Sequence, residues 1–379
     1  MTTPNRSAAA SSPERATSAT GAGISAPRAA STAAPASRAA SPAQGLARGN
    51  LTRTLVLLLI LAVLAAVAVA SVVIGSREIP LSVVWDAVVA PADIEDHFVI
   101  RDLRIPRTVV GIVVAISLGV AGALIQALTR NPLADPGILG VNSGASFAVA
   151  LGVGVFGVST ISGYVWFAFA GALIVTIAVY AIGSAGRGGA DPLRLVLAGV
   201  ALGAALSGLT SALTLLDPEA FDKMRNWGAG TIVGRGLDLV WPVLPLLGVG
   251  LALALIMARP LNAIALGEDL AAALGANVLR TRIIVIIAVT LLAGGATAIA
   301  GPIGFIGLMV PHVARWIVGP DQRWILAYTV ALAPILLLVA DIAGRLIMRP
   351  AEVPVGIVTA FVGAPVLIVL IRRRKMSSL

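Results

Sequence analysis

An all-α membrane protein that crosses the bilayer about ten times is predicted by three features of the sequence. First, the chain is 58% hydrophobic and only 12% charged, with a mean hydropathy of +0.98. A soluble domain carries about 25% charged residues, so half that charge could not cover a globule in water. Second, apolar runs of about 20 residues, the length that spans a bilayer, recur along nearly the whole chain. Third, residues 136–186 contain no charged residue, which fits two or more passes joined by a minimal turn.

The first 50 residues are Ala, Ser, Thr, Pro and Arg with few large apolar side chains. They cannot bury enough surface to offset the entropy of ordering, so a disordered tail is expected. The apolar run behind it is longer than the roughly 7–15 residues of a signal-peptide core, and an uncleaved first helix is expected there. Ten candidate spans follow: 53–75, 107–127, 137–157, 163–184, 194–216, 238–258, 281–301, 303–318, 324–345 and 352–371. The segment 303–318 is short and Gly-rich, and it contains Pro311. Between spans, 259–280 reads as a short amphipathic helix. Leu261, Ile264, Leu266, Leu270 and Leu274 are its apolar positions, Glu268 and Asp269 its polar ones, and Gly275 its end.

Alternating the ten spans puts 18 of the 27 Lys and Arg on the side holding both termini and 9 on the other. By the positive-inside rule both termini are then cytoplasmic. The net charge of +9 is therefore mostly an orientation signal. It comes from arginines before the first run and from Arg372, Arg373, Arg374 and Lys375 at the end, without interleaved aromatics, so no nucleic-acid partner is expected.

Several chemistries are excluded by composition. With no Cys and only His97 and His312, thiolate sites, Cys nucleophiles and a His-based metal cage are out, and no metal or cofactor is expected. No GxxxxGK[ST] is present; the nearest segment, Gly228 to Arg235, lacks the Lys and hydroxyl that hold phosphate and magnesium. The chain is not expected to hydrolyse ATP itself. GxSxG and HExxH are also absent.

Charges near long apolar runs are costly and so are informative. Asp341 and Arg345 stand at i, i+4 and can pair on one helix face. Arg104 and Arg107 flank Pro106 at the expected start of the second span, where two cations would oppose the helix dipole unless an anion lies near. Asp102, lipid phosphate or an acid on an external protein could supply it. Breaks at 131–145 and 301–312, rich in Pro and Gly, place irregular backbone where only protein or a water-filled cavity can surround it.

The motifs RIPRTVVGIVVAISLGVAGALIQALTRNPLADPGILGVNSGA, LVLAGVALGAALS, ALGEDLAAALGAN, GPIGFIGLMVPHVAR, ADIAGRL and AEVPVGIVTAFVGAPVLIVLIRRR, in this order over about residues 52–376, resemble the FecCD-type permeases of binding-protein-dependent ABC importers. The resemblance implies a type II importer permease fold that works as a homo- or heterodimer. Its implied partners are cytoplasmic ATPase subunits and an extracytoplasmic binding protein, and its implied cargo is a ferric siderophore or related chelate. It further implies that Arg104, Arg107 and Arg345 receive acids of the binding protein. Coupling to the ATPase would fall to Leu266, Gly267, Glu268, Asp269, Leu274 and Gly275, and the cytoplasmic gate would lie near Asp191, Pro192 and Leu193. A competing reading of the residues alone is an ion-coupled secondary transporter with Asp341 as the proton-carrying carboxylate.

Overall fold

The computed structural model describes residues 46–47, 49–185 and 192–373. The expected disordered tail and Asp191 lie outside the described residues, apart from the few that precede the first helix. The described chain is helical: α1 (Asn50–Val73), α2 (Leu81–Val89), α3 (Glu95–Thr129), α4 (Val141–Gly154), α5 (Ile161–Ser184), α6 (Pro192–Leu216), α7 (Pro218–Gly228), α8 (Leu244–Ala265), α9 (Glu268–Ala273), α10 (Val278–Ala300), α11 (Ile306–Val318), α12 (Gln322–Ile347) and α13 (Val355–Arg373). Seven of these (α1, α3, α5, α6, α8, α10 and α12) are long and apolar enough to cross a membrane. Three shorter apolar helices, Val141–Gly154, Ile306–Val318 and Val355–Ile368, fall on the remaining three predicted spans.

Side-chain acceptors start several helices: Thr160 bonds Gly163 N for α5, Asp217 bonds Glu219 N for α7, Asn277 bonds Arg280 N for α10, and Asp321 bonds Arg323 N for α12. α3, α10 and α12 form the buried centre, while α1 and α6 are mostly exposed. The outermost helix, α1, is also the most hydrophobic of the seven. Lipid reverses the rule for soluble proteins, because close helix contact selects small residues rather than large apolar ones. At one such contact a Cβ on Gly122 of α3 would meet the Gly307 carbonyl oxygen of α11 at 1.9 Å.

Three boundaries differ from the sequence expectation. The second span does not begin at 107: the helix runs unbroken from Glu95, with a wide π turn over Val99–Arg104 just before Pro106. That turn absorbs the N–H that Pro106 lacks, so Arg104 and Arg107 lie inside a helix and the dipole penalty does not arise. The expected helix within 259–280 is divided. Residues up to Ala265 belong to α8, Gly267 adopts φ +113, and only Glu268–Ala273 forms a separate helix. The third pass is shorter than 137–157, because a 3-10 turn at Pro136–Leu139 precedes α4. That irregular turn is held against α6, where a Cβ on Gly199 would come within 1.8 Å of the Ile138 carbonyl oxygen.

Candidate functional sites in the membrane domain

One end of the bundle carries a buried charge cluster built from α1, α3, α12 and the segment before α13. Asp341 lies at its centre. Arg107 Nη2 donates to Asp341 Oδ1 at 2.6 Å, its Nε lies 3.1 and 3.2 Å from the two carboxylate oxygens, and Arg345 pairs with Asp341 Oδ2. Arg107 Nη1 reaches Glu352 Oε2 at 2.6 Å, and Glu352 Oε1 accepts from Ser76 Oγ at 3.0 Å. The remaining guanidinium hydrogens go to the C-terminus of α1. Arg345 Nη1 donates to the carbonyls of Ser71 (2.6 Å) and Ile74 (2.8 Å), and Arg104 Nη1 to those of Val72 (3.0 Å) and Val73 (2.7 Å). Arg104 Nη2 adds the Arg77 carbonyl at 2.5 Å, in space left by Gly75, where a Cβ would sit 2.4 Å from that guanidinium.

This arrangement resolves a local problem. The last four carbonyls of a helix have no partner within it and carry its partial negative charge, and α1 has no basic residue in its own last turn. Arginines from α3 and α12 supply that cap. Arg104, Arg107 and Arg345 are 5%, 8% and 1% exposed, and each is enclosed and partnered inside the chain. The anion expected beside Arg104 and Arg107 is not Asp102, which is exposed; Asp341 and Glu352 serve Arg107, and helix carbonyls serve Arg104. The oxygens of Asp341 are committed to two guanidiniums, so its part is that of a structural counter-ion and not of a proton carrier. Glu352 was not anticipated. It is the one acid of the cluster that opens to solvent, with its side chain 20% exposed against 1% for Asp341. Burial pushes its carboxyl upward, yet the Arg107 guanidinium and the Ser76 hydroxyl outweigh that and hold it below the usual range.

A second feature is a groove of about 460 Å³ between α4, α6 and α7. Asn142, Ser143 and Ser146 line one wall, and Ser207, Thr210, Ser211 and Thr214 the other; Phe221, Met224 and Arg225 of α7 and Pro302 complete it. The four α6 hydroxyls stand at i, i+3, i+4 and i+7, one face of a helix. That spacing stands in ALSGLTSALTLL, where the larger apolar signal outweighs it. Seven hydroxyl or amide side chains and no carboxylate give a surface that offers hydrogen bonds without ligating a bare cation. Among the described residues no cluster of His, Asp or Glu could hold a metal ion.

The opposite end carries the loop around α9. Leu266, Leu270 and Leu274 are 63%, 49% and 64% exposed. Leu270 and Leu274 stand one turn apart at α9, and Leu266 lies just before the break at Gly267, so the loop presents three exposed apolar side chains. Gly267 and Gly275, at φ +113 and +84, bound α9 in conformations that other residues rarely adopt. Glu268 is drawn in by an ion pair with Arg282, whereas Asp269 remains exposed. Of the residues expected at the gate, Pro192 begins α6 and Leu193 is exposed.

Residues 57–373 match the family model for the FecCD transport family. The chain belongs to that family. Among FecCD relatives, the ferric enterobactin transport system permease protein FepD of Escherichia coli (strain K12) is 52% identical over 305 residues, which cover 80% of this chain and 91% of that protein. A probable siderophore transport system permease, YfiZ of Bacillus subtilis (strain 168), is 40% identical over 85% of this chain and 97% of its own. The fold is shared with a solved structure described as an inward-facing conformation of a metal-chelate type ABC transporter, at TM-score 0.73 and 26% identity, over 84% of this chain and 99% of that one. This FecCD chain is thus a multi-pass permease, and its helices, charge cluster and loop are those of a membrane domain.

Proposed function

We propose that this chain is the membrane permease of an ABC importer that carries a ferric siderophore across the cytoplasmic membrane. The observation that carries the reading is 52% identity to a ferric enterobactin permease over 91% of that protein's length. The groove supports it: hydroxyls and amides with no acid suit an oxygen-rich chelate that already wraps its iron. Weak, repeated hydrogen bonds let such a cargo pass without trapping it.

In this reading both termini are cytoplasmic and the arginine cluster faces outward. A separate ATPase receives the exposed Leu266, Leu270 and Leu274, with Glu268 and Asp269 beside them, and its closure is transmitted through α9 to α8 and α10. A second permease subunit packs on the exposed side of α6. The binding protein docks over the cluster of Arg104, Arg107 and Arg345. Because those side chains are enclosed, docking proceeds by exchange: an external carboxylate takes the place of Glu352 on Arg107, and Asp341 keeps the other guanidinium in register. Asp191, Pro192 and Leu193, the last two at the start of α6, serve as the cytoplasmic gate.

The test is complementation. Cells that lack this chain should lose growth on, and uptake of, a ferric catecholate as sole iron source, and recover both with the wild-type gene. Unimpaired uptake in the deletion, with no second permease expressed, would contradict the reading.

A further inference from the structure

At the end of the bundle that carries α9, a pocket of about 460 Å³ lies between α8 and α12, lined by Leu255, Ile256, Ala258, Arg259 and Arg323. Its chemistry is divided along the helix axis. Leu255 and Ile256 are 59% and 62% exposed, and both belong to a helix apolar enough to cross a membrane, so they face acyl chains. One turn further on, Arg259 and Arg323 are both exposed, and neither has an ion pair among the described residues. The nearest acid in sequence, Asp321, turns its Oδ1 to Asn262 Nδ2 at 2.9 Å and to the Arg323 backbone N–H at 3.1 Å and makes no ion pair with the Arg323 guanidinium.

The depth of the pocket is marked by its neighbours. Trp324 follows Arg323 and carries the Arg53 guanidinium 5.9 Å above its ring, and Tyr328, one turn on, donates to the Arg53 carbonyl at 2.6 Å. Arg53 and the half-buried Trp324 mark the level of the lipid headgroups, while the enclosed Tyr328 fixes the Arg53 backbone from inside the bundle. Two like charges in one pocket with no carboxylate between them, above an apolar wall at headgroup depth, complement a phosphate that carries acyl chains.

We propose that Arg259 and Arg323 form a binding site for the headgroup of an anionic phospholipid, whose acyl chains lie along Leu255 and Ile256. Arg259 lies in α8, which leads into α9, and Arg323 lies at the start of α12, so the lipid bridges α8 and α12 at the end of the bundle that carries the loop. The proposal does not depend on the cargo or on the direction of transport.

The test is native mass spectrometry of the full-length chain released from detergent with phosphatidylglycerol, phosphatidylcholine or inorganic phosphate. Wild type should retain phosphatidylglycerol in preference to phosphatidylcholine. Near a membrane surface each arginine is worth about fivefold in affinity, so Arg259→Gln and Arg323→Gln should each weaken retention about fivefold and the pair about thirtyfold. Arg280→Gln, an exposed arginine at the same end, should leave it unchanged, and Arg259→Lys should keep most of it. Equal retention by the double variant, an equal loss in Arg280→Gln, or full displacement by inorganic phosphate would overturn the proposal. If the double variant fails to fold in phosphatidylcholine, the two single variants read against Arg259→Lys carry the same comparison.

Discussion

Replacing Asp341 by Asn keeps its size but leaves Arg345, 1% exposed, with no counter-charge and Arg107, 8% exposed, with Glu352 alone. Breaking a buried pair in this way costs about 3–5 kcal/mol. Asp341→Asn should therefore lower the unfolding midpoint sharply in detergent, and an unchanged midpoint would show that the cluster contributes little. Glu352→Gln should cost less, since Glu352 opens to solvent and has one guanidinium partner. Its effect should also depend on pH. A carboxyl held below its ordinary value stabilises the fold above that value, about 4.3 for glutamate, and the contribution is lost as pH falls through the depressed one. Wild type and Glu352→Gln should thus differ at pH 7 and converge in acid. At this scale the sequence disclosed Arg104, Arg107, Asp341 and Arg345 as costly charges. It did not disclose that α1, more than 30 residues away, ends between Arg104 and Arg345, because helix-end carbonyls leave no mark in residue type.

Among the elements, the long passes were legible because a span needs a continuous apolar run, whichever neighbours it packs on. Their order from centre to rim was not: the passes are alike in being mostly apolar, and the close approaches that set their packing lie at particular glycines that residue type alone does not single out. Gly199→Leu tests this. A side chain that must begin 1.8 Å from the Ile138 carbonyl should expel the 136–139 turn from α6, seen as loss of folded protein or rapid proteolysis in the 130–140 segment. The π turn before Pro106 and the break at Gly267 were also hidden, the first because Pro usually marks a helix start and the second because positive φ is a property of the folded backbone. For the loop, Leu270→Asp leaves α9 exposed and soluble but places a charge among the exposed apolar side chains. It should reduce copurification of the ATPase at least tenfold, the effect of about 1.4 kcal/mol, without lowering the amount of permease in the membrane. An undiminished complex would count against coupling through this loop.

For the whole molecule, the family and the membrane class were legible from six collinear motifs and from the sparsity of charge, whereas the groove that α4 and α7 close on the hydroxyl face of α6 is a property of the packed helices alone. The central claim, that this FecCD chain passes a ferric siderophore driven by a partner ATPase, is tested most directly by reconstitution. Proteoliposomes holding the permease and its ATPase, with binding protein and radiolabelled ferric catecholate on the binding-protein side, should accumulate iron only with ATP on the ATPase side. Uptake should stop with vanadate and be indifferent to a protonophore. Accumulation that needs no ATP and collapses with the proton gradient would contradict the account.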